Sequence, residues 1–348
     1  MKRYISALLL IIFAACFISC EKDIEFKGKV TKPLLVLNGM LTPDSVVSIH
    51  LSQSRFILGD VLPFTHIAGA TVSVYVNGQL KEQITNDVKG TYKGIYTPKP
   101  GDEIKIEVKA DGFDVLKSQT VIPQKPNMVV NDSTVTVREE EYSSPSQPNT
   151  VSKSKKRRMQ AQLKLTDMAN EENYYFIKAF QNIYRKGDLV RSRVVELKLS
   201  EVLKNNISDS GNIIQDIFGD GGTMDRTDNL FSDIYINGKE TLFDFTFDDT
   251  LEYATYVNGV KVENDRDEEG TVEYLIEIGE ISKDMYQYVI SGNKAENEKD
   301  DPFTEPVQVH SNVENGIGIL GSYTTYRFVS RFHTKNLRYY LPYEGIGM

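Results

Sequence analysis

The chain carries two thiols, Cys16 and Cys20, and both lie within its first twenty residues. A cysteine thiol can attack an electrophile, ligate zinc, close a disulfide or accept a lipid. No cysteine follows residue 20, so the rest of the chain has neither a disulfide nor a thiolate metal site. The other chemistry-bearing side chains are scattered. His50, His66, His310 and His333 never stand four residues apart, the spacing that lets two imidazoles on one helical face share a zinc ion. No Gly-x-Ser-x-Gly elbow presents a serine nucleophile. Residues 265–270, Asp-Arg-Asp-Glu-Glu-Gly, imitate the start of a calcium loop, but Ile276 fills the position where a bidentate glutamate is required. Carboxylate pairs of the glycosidase kind depend on separation in space, which a list of 49 acidic residues does not disclose. The expectation is a chain with no catalytic residues, no metal and no cofactor.

The surroundings of Cys20 point to the lipid. Lys2 and Arg3 give a positive start, and residues 5–18 form an apolar run broken by Ser6 and a few small residues. Ser19 and Cys20 follow, and residues 21–25, Glu-Lys-Asp-Ile-Glu, turn abruptly charged. The run is too short for a permanent membrane span and has the layout of a secretory signal. A small residue before a cysteine at the end of such a run resembles the bacterial lipobox. In that motif the thiol takes a diacylglycerol, the signal is removed, and the new N-terminus is acylated, commonly with palmitate. Cys16, behind Ala14 and Ala15, is an alternative, as is a plain signal peptide with an incidental cysteine. Cys20 is favoured because it sits where the apolar run meets the charged one. Two or more acyl chains hold a protein on a membrane stably, at about 0.8 kcal/mol per buried methylene. Residues 1–19 are therefore read as a lipoprotein signal peptide and 20–30 as a lipid-anchored linker. The acidic cluster resembles the export signal that sends lipoproteins to the outer face of the outer membrane in Bacteroidota; it is also what an ordinary solvated linker looks like.

The remaining chain has room for about two domains. A formal charge of −9 argues against nucleic acid as a partner. With 19 Tyr, 16 Phe and no Trp, the aromatic content suits strands. From residue 31 to 125 the hydropathy alternates with period two. Val72, Val74 and Val76 precede Asn77-Gly78; Ile104, Ile106 and Val108 precede Asp111-Gly112; a strand over 34–37 is expected to end at Asn38-Gly39. Asn-Gly and Asp-Gly supply the positive φ angles of two-residue hairpins. Short strands at this spacing predict a β-sandwich of immunoglobulin or transthyretin type.

Residues 123–126 mark the expected boundary to a second, larger β-rich domain over 126–348, sandwich or barrel-like, with one or two short helices. Strands are predicted over 128–137, 160–166, 173–180, 189–199, 234–237, 241–247, 253–257, 272–278, 307–310 and 323–332. The basic run 153–158 reads as a hairpin tip, its charge offset by the acidic residues before it. Residues 205–229 read as a polar surface excursion with a short helix near 213–218. Ser282 and Asp284 open the predicted helix, with Met285, Tyr288 and Val289 on one face. The overall expectation is an all-β fold.

Residues 303–306, Phe-Thr-Glu-Pro, and 311–321, Ser-Asn-Val-Glu-Asn-Gly-Ile-Gly-Ile-Leu-Gly, are the most distinctive stretches. Together with the lipobox, Leu37-Asn38-Gly39, Asn173-Tyr174-Tyr175 and residues 282–288, they resemble the Bacteroidota lipoprotein family called domain of unknown function 4249. The resemblance spans essentially the whole mature chain, apart from an extended basic loop near Lys155. It implies an outer-membrane lipoprotein, commonly encoded beside a TonB-dependent receptor, and carries over no catalytic residues. In the 312–321 motif, glycine gives close approach and asparagine tolerates the left-handed region. The motif reads either as a bulged turn packed on a core sheet or as a ligand or partner surface formed by Asn312, Asn315, Gly316, Gly318, Tyr323 and Tyr326.

The resulting expectation is a non-enzymatic outer-membrane lipoprotein facing the cell exterior. It would serve a TonB-dependent transporter as a ligand-capture or partner protein in nutrient uptake. A structural or adhesive cell-surface module with no transporter is the alternative.

Overall fold

The computed structural model describes residues 32–55, 65–197, 229–262, 268–298, 307–335 and 337–340. Residues 34–54 and those from 65 onward belong to one structural unit, and the elements below all lie in it. The predicted signal, Cys20, the calcium-loop mimic at 265–267, the polar excursion 205–228 and residues 303–306 fall outside the described residues.

The chain is all-β. Its first eight strands are β1 (Leu35–Leu41), β2 (Ser48–Gln53), β3 (Thr71–Val76), β4 (Gln79–Ile84), β5 (Asp87–Val88), β6 (Thr91–Lys93), β7 (Glu103–Lys109) and β8 (Leu116–Val121). Five longer or flanking strands follow: β9 (Met128–Ser143), β10 (Thr150–Thr166), β11 (Tyr174–Arg185), β12 (Asp188–Val195) and β13 (Leu230–Ser232). Next come β14 (Glu240–Val257), β15 (Val260–Val262), β16 (Gly270–Ile281), helix α1 (Lys283–Glu298), β17 (Val313–Glu314) and β18 (Ile317–Thr334).

Three sheets result. The largest runs β12-β11-β16-β18-β1-β2-β6-β5, with β13 beside β11; its ends do not close into a barrel. The second runs β15-β14-β10-β9 and the third β17-β8-β7-β3-β4. Period-two alternation decides which faces meet. Leu163, Phe243 and Phe245 of the second sheet share one apolar core with Ile177, Tyr274, Ile276 and Ile278 of the first. Val72, Ile104, Ile106 and Leu116 of the third sheet share another with Leu35, Leu37, Ile49 and Leu320 of the first. The large sheet is thus a common floor under two sandwiches, and each fully buried Phe or Ile contributes about 1.5–3 kcal/mol.

Strand β18 joins the two halves of that floor. Its first residues pair in parallel with β1, from Val36–Ile317 to Leu41–Ser322. The remainder pairs antiparallel with β16, from Ile281–Tyr323 to Gly270–Thr334. Strand β17 adds an antiparallel pair to β8. Residues 313–322, from the second expected region, therefore hydrogen-bond into the first.

The Asn77-Gly78 signal makes the two-residue hairpin it predicts, and Asn258-Gly259 makes another between β14 and β15, both residues of each pair at positive φ. Asn38-Gly39 does not. It lies within β1, where a Cβ on Gly39 would come within 2.8 Å of Leu320 and 2.9 Å of Ile49, so the glycine serves close packing rather than a turn. Residues 233–235 form a 3-10 turn instead of the predicted strand, and 307–310 have no regular structure. The helix is present. The Ser282 hydroxyl accepts the Ser322 N–H at 3.2 Å, and a Cβ on Gly321 would crowd Met285, so α1 is seated on β18 at residues 321–322.

The basic run 153–158 is not a hairpin tip; it lies inside β10, and the β9–β10 turn falls at 144–149. Cross-strand pairing places Lys153 2.9 Å from Glu141, Lys155 3.3 Å from Glu139 and Lys156 2.6 Å from Glu140. Arg157 turns inward. It is buried against Asp249, and its guanidinium lies 3.7 Å over the Phe332 ring. Burial pushes the Asp249 carboxyl up, and Arg157 draws it back.

Candidate functional site

The 312–321 motif is a seam between strands. Asn312 uses its whole amide: Nδ2 donates to the carbonyls of Gln119 at 3.0 Å and Leu320 at 2.9 Å, while Oδ1 accepts the Leu320 N–H at 3.0 Å. The Ser118 hydroxyl lies 3.0 Å from the Asn312 carbonyl and 3.2 Å from Oδ1. Asn315, at φ 56°, donates Nδ2 to the Val115 carbonyl at 3.0 Å. Past Gly316 the seam continues: Ser322 Oγ donates to the Val121 carbonyl at 2.6 Å and Thr324 Oγ1 to the Gln124 carbonyl at 2.7 Å. Side chains of 312–324 thereby satisfy backbone groups along β8 and just beyond it, where a sheet edge would otherwise be left unpaired.

The glycines fit the same purpose. Gly316 approaches Leu116 and the Leu35 carbonyl so closely that a Cβ would sit 2.6 Å from each. Gly318, at φ 114°, faces Leu37 across the parallel ladder, and a Cβ there would overlap the Leu37 carbonyl.

Tyr323 and Tyr326 do not join this seam as one surface. Three residues apart on a strand, they point to opposite faces. Tyr323 sets its ring edge-on to Phe176 with centroids 6.0 Å apart, and Tyr326 packs against the core under the second sheet. Asn312 and Asn315 are thus committed to internal hydrogen bonds, and the six candidate residues are split between a seam and two faces.

Removing the Asn312 amide strands the Leu320 N–H and two carbonyls, each at a cost of roughly 1–3 kcal/mol if it stays dry. Asn312→Ala is therefore expected to lower stability to urea by about 2 kcal/mol. Unchanged stability in a denaturation curve would return this side chain to the binding reading.

A second cluster was not evident from sequence, because its members come from separate segments. Tyr175 OH donates to Asp167 Oδ1 at 2.6 Å, and Gly238 N–H donates to Asp167 Oδ2 at 2.8 Å. Asp233 accepts the Asn173 N–H at 3.1 Å and Asn237 Nδ2 at 3.0 Å. Asn173 Nδ2 donates to Glu280 at 3.0 Å, while Asn173 Oδ1 is buried with no hydrogen-bond partner. Asn173-Tyr174-Tyr175 was the single sequence sign of this place. The carboxylates of Asp167, Asp233 and Glu280 are buried within the fold. Among the described residues, no three His, Cys, Asp or Glu side chains converge as metal ligands.

Burial pushes the Glu280 carboxyl up to about 7, and Asp167, Glu171 and Asp233 push the same way against the Asn173 amide. Asp233 is also raised, first by burial. Unfolded, Glu280 would titrate near 4.3. The folded protein then holds this proton more tightly, so stability is full below about pH 4.3 and falls as pH rises through about 7, by at most roughly 3.7 kcal/mol. Glu280→Gln removes that loss. Its stability advantage over the natural protein is expected to grow by about 2–3 kcal/mol between about pH 5 and about pH 8. Parallel stability profiles for the two proteins would contradict this assignment.

A search of curated proteins found no match to this chain. The family described as "Domain of unknown function (DUF4249)" matches residues 21–328, which takes in both sandwiches, the seam and the carboxylate cluster. The chain belongs to that family.

Proposed function

We propose that this chain is a non-enzymatic lipoprotein of the bacterial outer membrane, of Bacteroidota type, facing the cell exterior and serving a TonB-dependent transporter by capturing or presenting a nutrient. The observation that carries this reading is Cys20, set where an apolar run behind Lys2 and Arg3 meets the charged residues 21–25. The family match starts at residue 21, leaving the signal outside it, in keeping with a mature chain that begins at Cys20. A β-rich body with no thiol after residue 20 suits an oxidising exterior, since it holds no cysteine to be cross-linked or over-oxidised.

Isolation of the full chain from its membrane in mild detergent tests the transporter role. Co-purification of an outer-membrane receptor in a fixed ratio is the expected result. Isolation of the lipidated chain alone, under conditions that leave other outer-membrane complexes intact, would overturn it and favour the adhesive alternative.

A further inference from the structure

Strand β9 is an edge strand, hydrogen-bonded to β10 on one side and to no other strand among the described residues. Its residues from Val129 to Glu139 are all exposed, so it overhangs the core on both faces. The residues facing it on β10 behave differently: Met159 and Ala161, opposite Val135 and Ser133, are buried. Val135 and Val137 therefore extend the inward face of the sheet past the point where the large sheet covers it, and they are 48% and 52% exposed.

Proteins normally blunt such edges with proline, bulges or charges. Here one bulge lies opposite Gln162/Leu163, and no proline interrupts residues 127–144. Residues 133–137, Ser-Thr-Val-Thr-Val, are uncharged and mostly β-branched, with Asp132 at one end and Arg138 at the other.

We propose that β9 pairs antiparallel with β9 of a second copy of this chain, about a twofold axis through Val135. The charges select both the occupant and the register. With Val135 opposite itself, Thr134 meets Thr136, Ser133 meets Val137, and Asp132 meets Arg138 twice, once on each side of the axis. The bulge at Asn131 ends the straight register just past Asp132, and within residues 132–138 no like charges oppose each other. Sliding the axis to Thr136 sets Asp132 against Glu140, and moving it to Arg138 sets two arginines face to face. Like charges directly opposite on paired strands are destabilising. A twofold axis perpendicular to the sheet keeps each face on its own side, so Val135 and Val137 of both copies form one strip. The second sheet would become eight strands wide through paired backbone that each copy alone leaves to water. Arg138 is half-exposed beside Glu140 at 3.1 Å, a pair that leaves it free to serve a second carboxylate. The inference does not depend on the lipid anchor or on a transporter.

The test is sedimentation equilibrium of the full chain in density-matched detergent. The natural protein is expected to be a dimer. Asp132→Arg and Arg138→Asp alone should each raise the dissociation constant about tenfold or more, a change equivalent to about 1.4 kcal/mol. The double variant Asp132→Arg/Arg138→Asp should bring it back to within about threefold of the natural value. Rescue by the double exchange separates pairing across the axis from damage to the fold. A natural protein that stays monomeric to about 100 μM, single exchanges without effect, or a double exchange that fails to restore dimers would each overturn the proposal.

Discussion

Cys20→Ala is expected to empty the outer membrane of this protein. Without the thiol there is no thioether to diacylglycerol, no cut before residue 20 and no acylated N-terminus. The apolar run 5–18 stays on the chain, so the product should be a longer precursor that takes up no palmitate label. A run of that length holds a chain at a membrane only marginally, and the outer-membrane fraction should fall about a hundredfold or more. Cys16→Ala is the matched control and should leave label, length and fractionation unchanged. If Cys16→Ala abolishes the label and Cys20→Ala does not, the anchor belongs to the other cysteine; if neither does, there is no lipid on either.

Gly318→Ala should be the most damaging single methyl group in the described structure. The new Cβ would meet the Leu37 carbonyl on the neighbouring strand, and the backbone angle of 114° disfavours any side chain. Relief requires opening the parallel β1/β18 pairing that joins the two halves of the large sheet. Backbone strain of this kind costs about 1–3 kcal/mol, and the broken ladder adds to it, so a loss of roughly 3–5 kcal/mol is expected. That is a large part of the 5–15 kcal/mol by which a typical domain is stable. Gly292→Ala, in α1 with open space around it, serves as the contrast and should be neutral or stabilising by about 0.5–1 kcal/mol. Denaturant midpoints measure both; equal midpoints for the two variants would remove the seam from its structural role.

The all-β class was legible because alternation is a local property. Val72-Val74-Val76 and Ile104-Ile106-Val108 each point one row of side chains into a core, and the sequence shows this without a partner strand. What stayed hidden was set by pairing over long separations. Asn38-Gly39 has the chemistry of a turn, yet Leu320 and Ile49 need its lack of a side chain in mid-strand. Lys186-Gly187 turns β11 into β12 with both residues at positive φ, although lysine gives no turn signal. The basic run looked like a solvated tip because the acidic strand that neutralises it is visible only in register, and Arg157 hides its charge against Asp249, far along the chain.

The candidate site follows the same division. The Asn-Gly-rich motif was visible as an unusual string, and its role as a seam depended on β8 lying beside it. Tyr323 and Tyr326 looked adjacent, but a spacing of three residues separates them in a strand where it would unite them on a helix. Asp167, Asp233 and Glu280 carried no signal, since a carboxylate in sequence looks the same buried or solvated. Tertiary burial alone distinguishes Glu280, and it does so by raising its pKa to about 7.

Everything proposed about location and the transporter rests on one covalent bond, and mass spectrometry of the N-terminal peptide from the natural protein reads it directly. The predicted result is a peptide that begins at Cys20, carries diacylglycerol on sulfur and a further acyl chain on its α-amino group. A peptide that begins elsewhere, or one that begins at Cys20 with a free thiol, would contradict the anchor at Cys20 from which the outward-facing location is proposed.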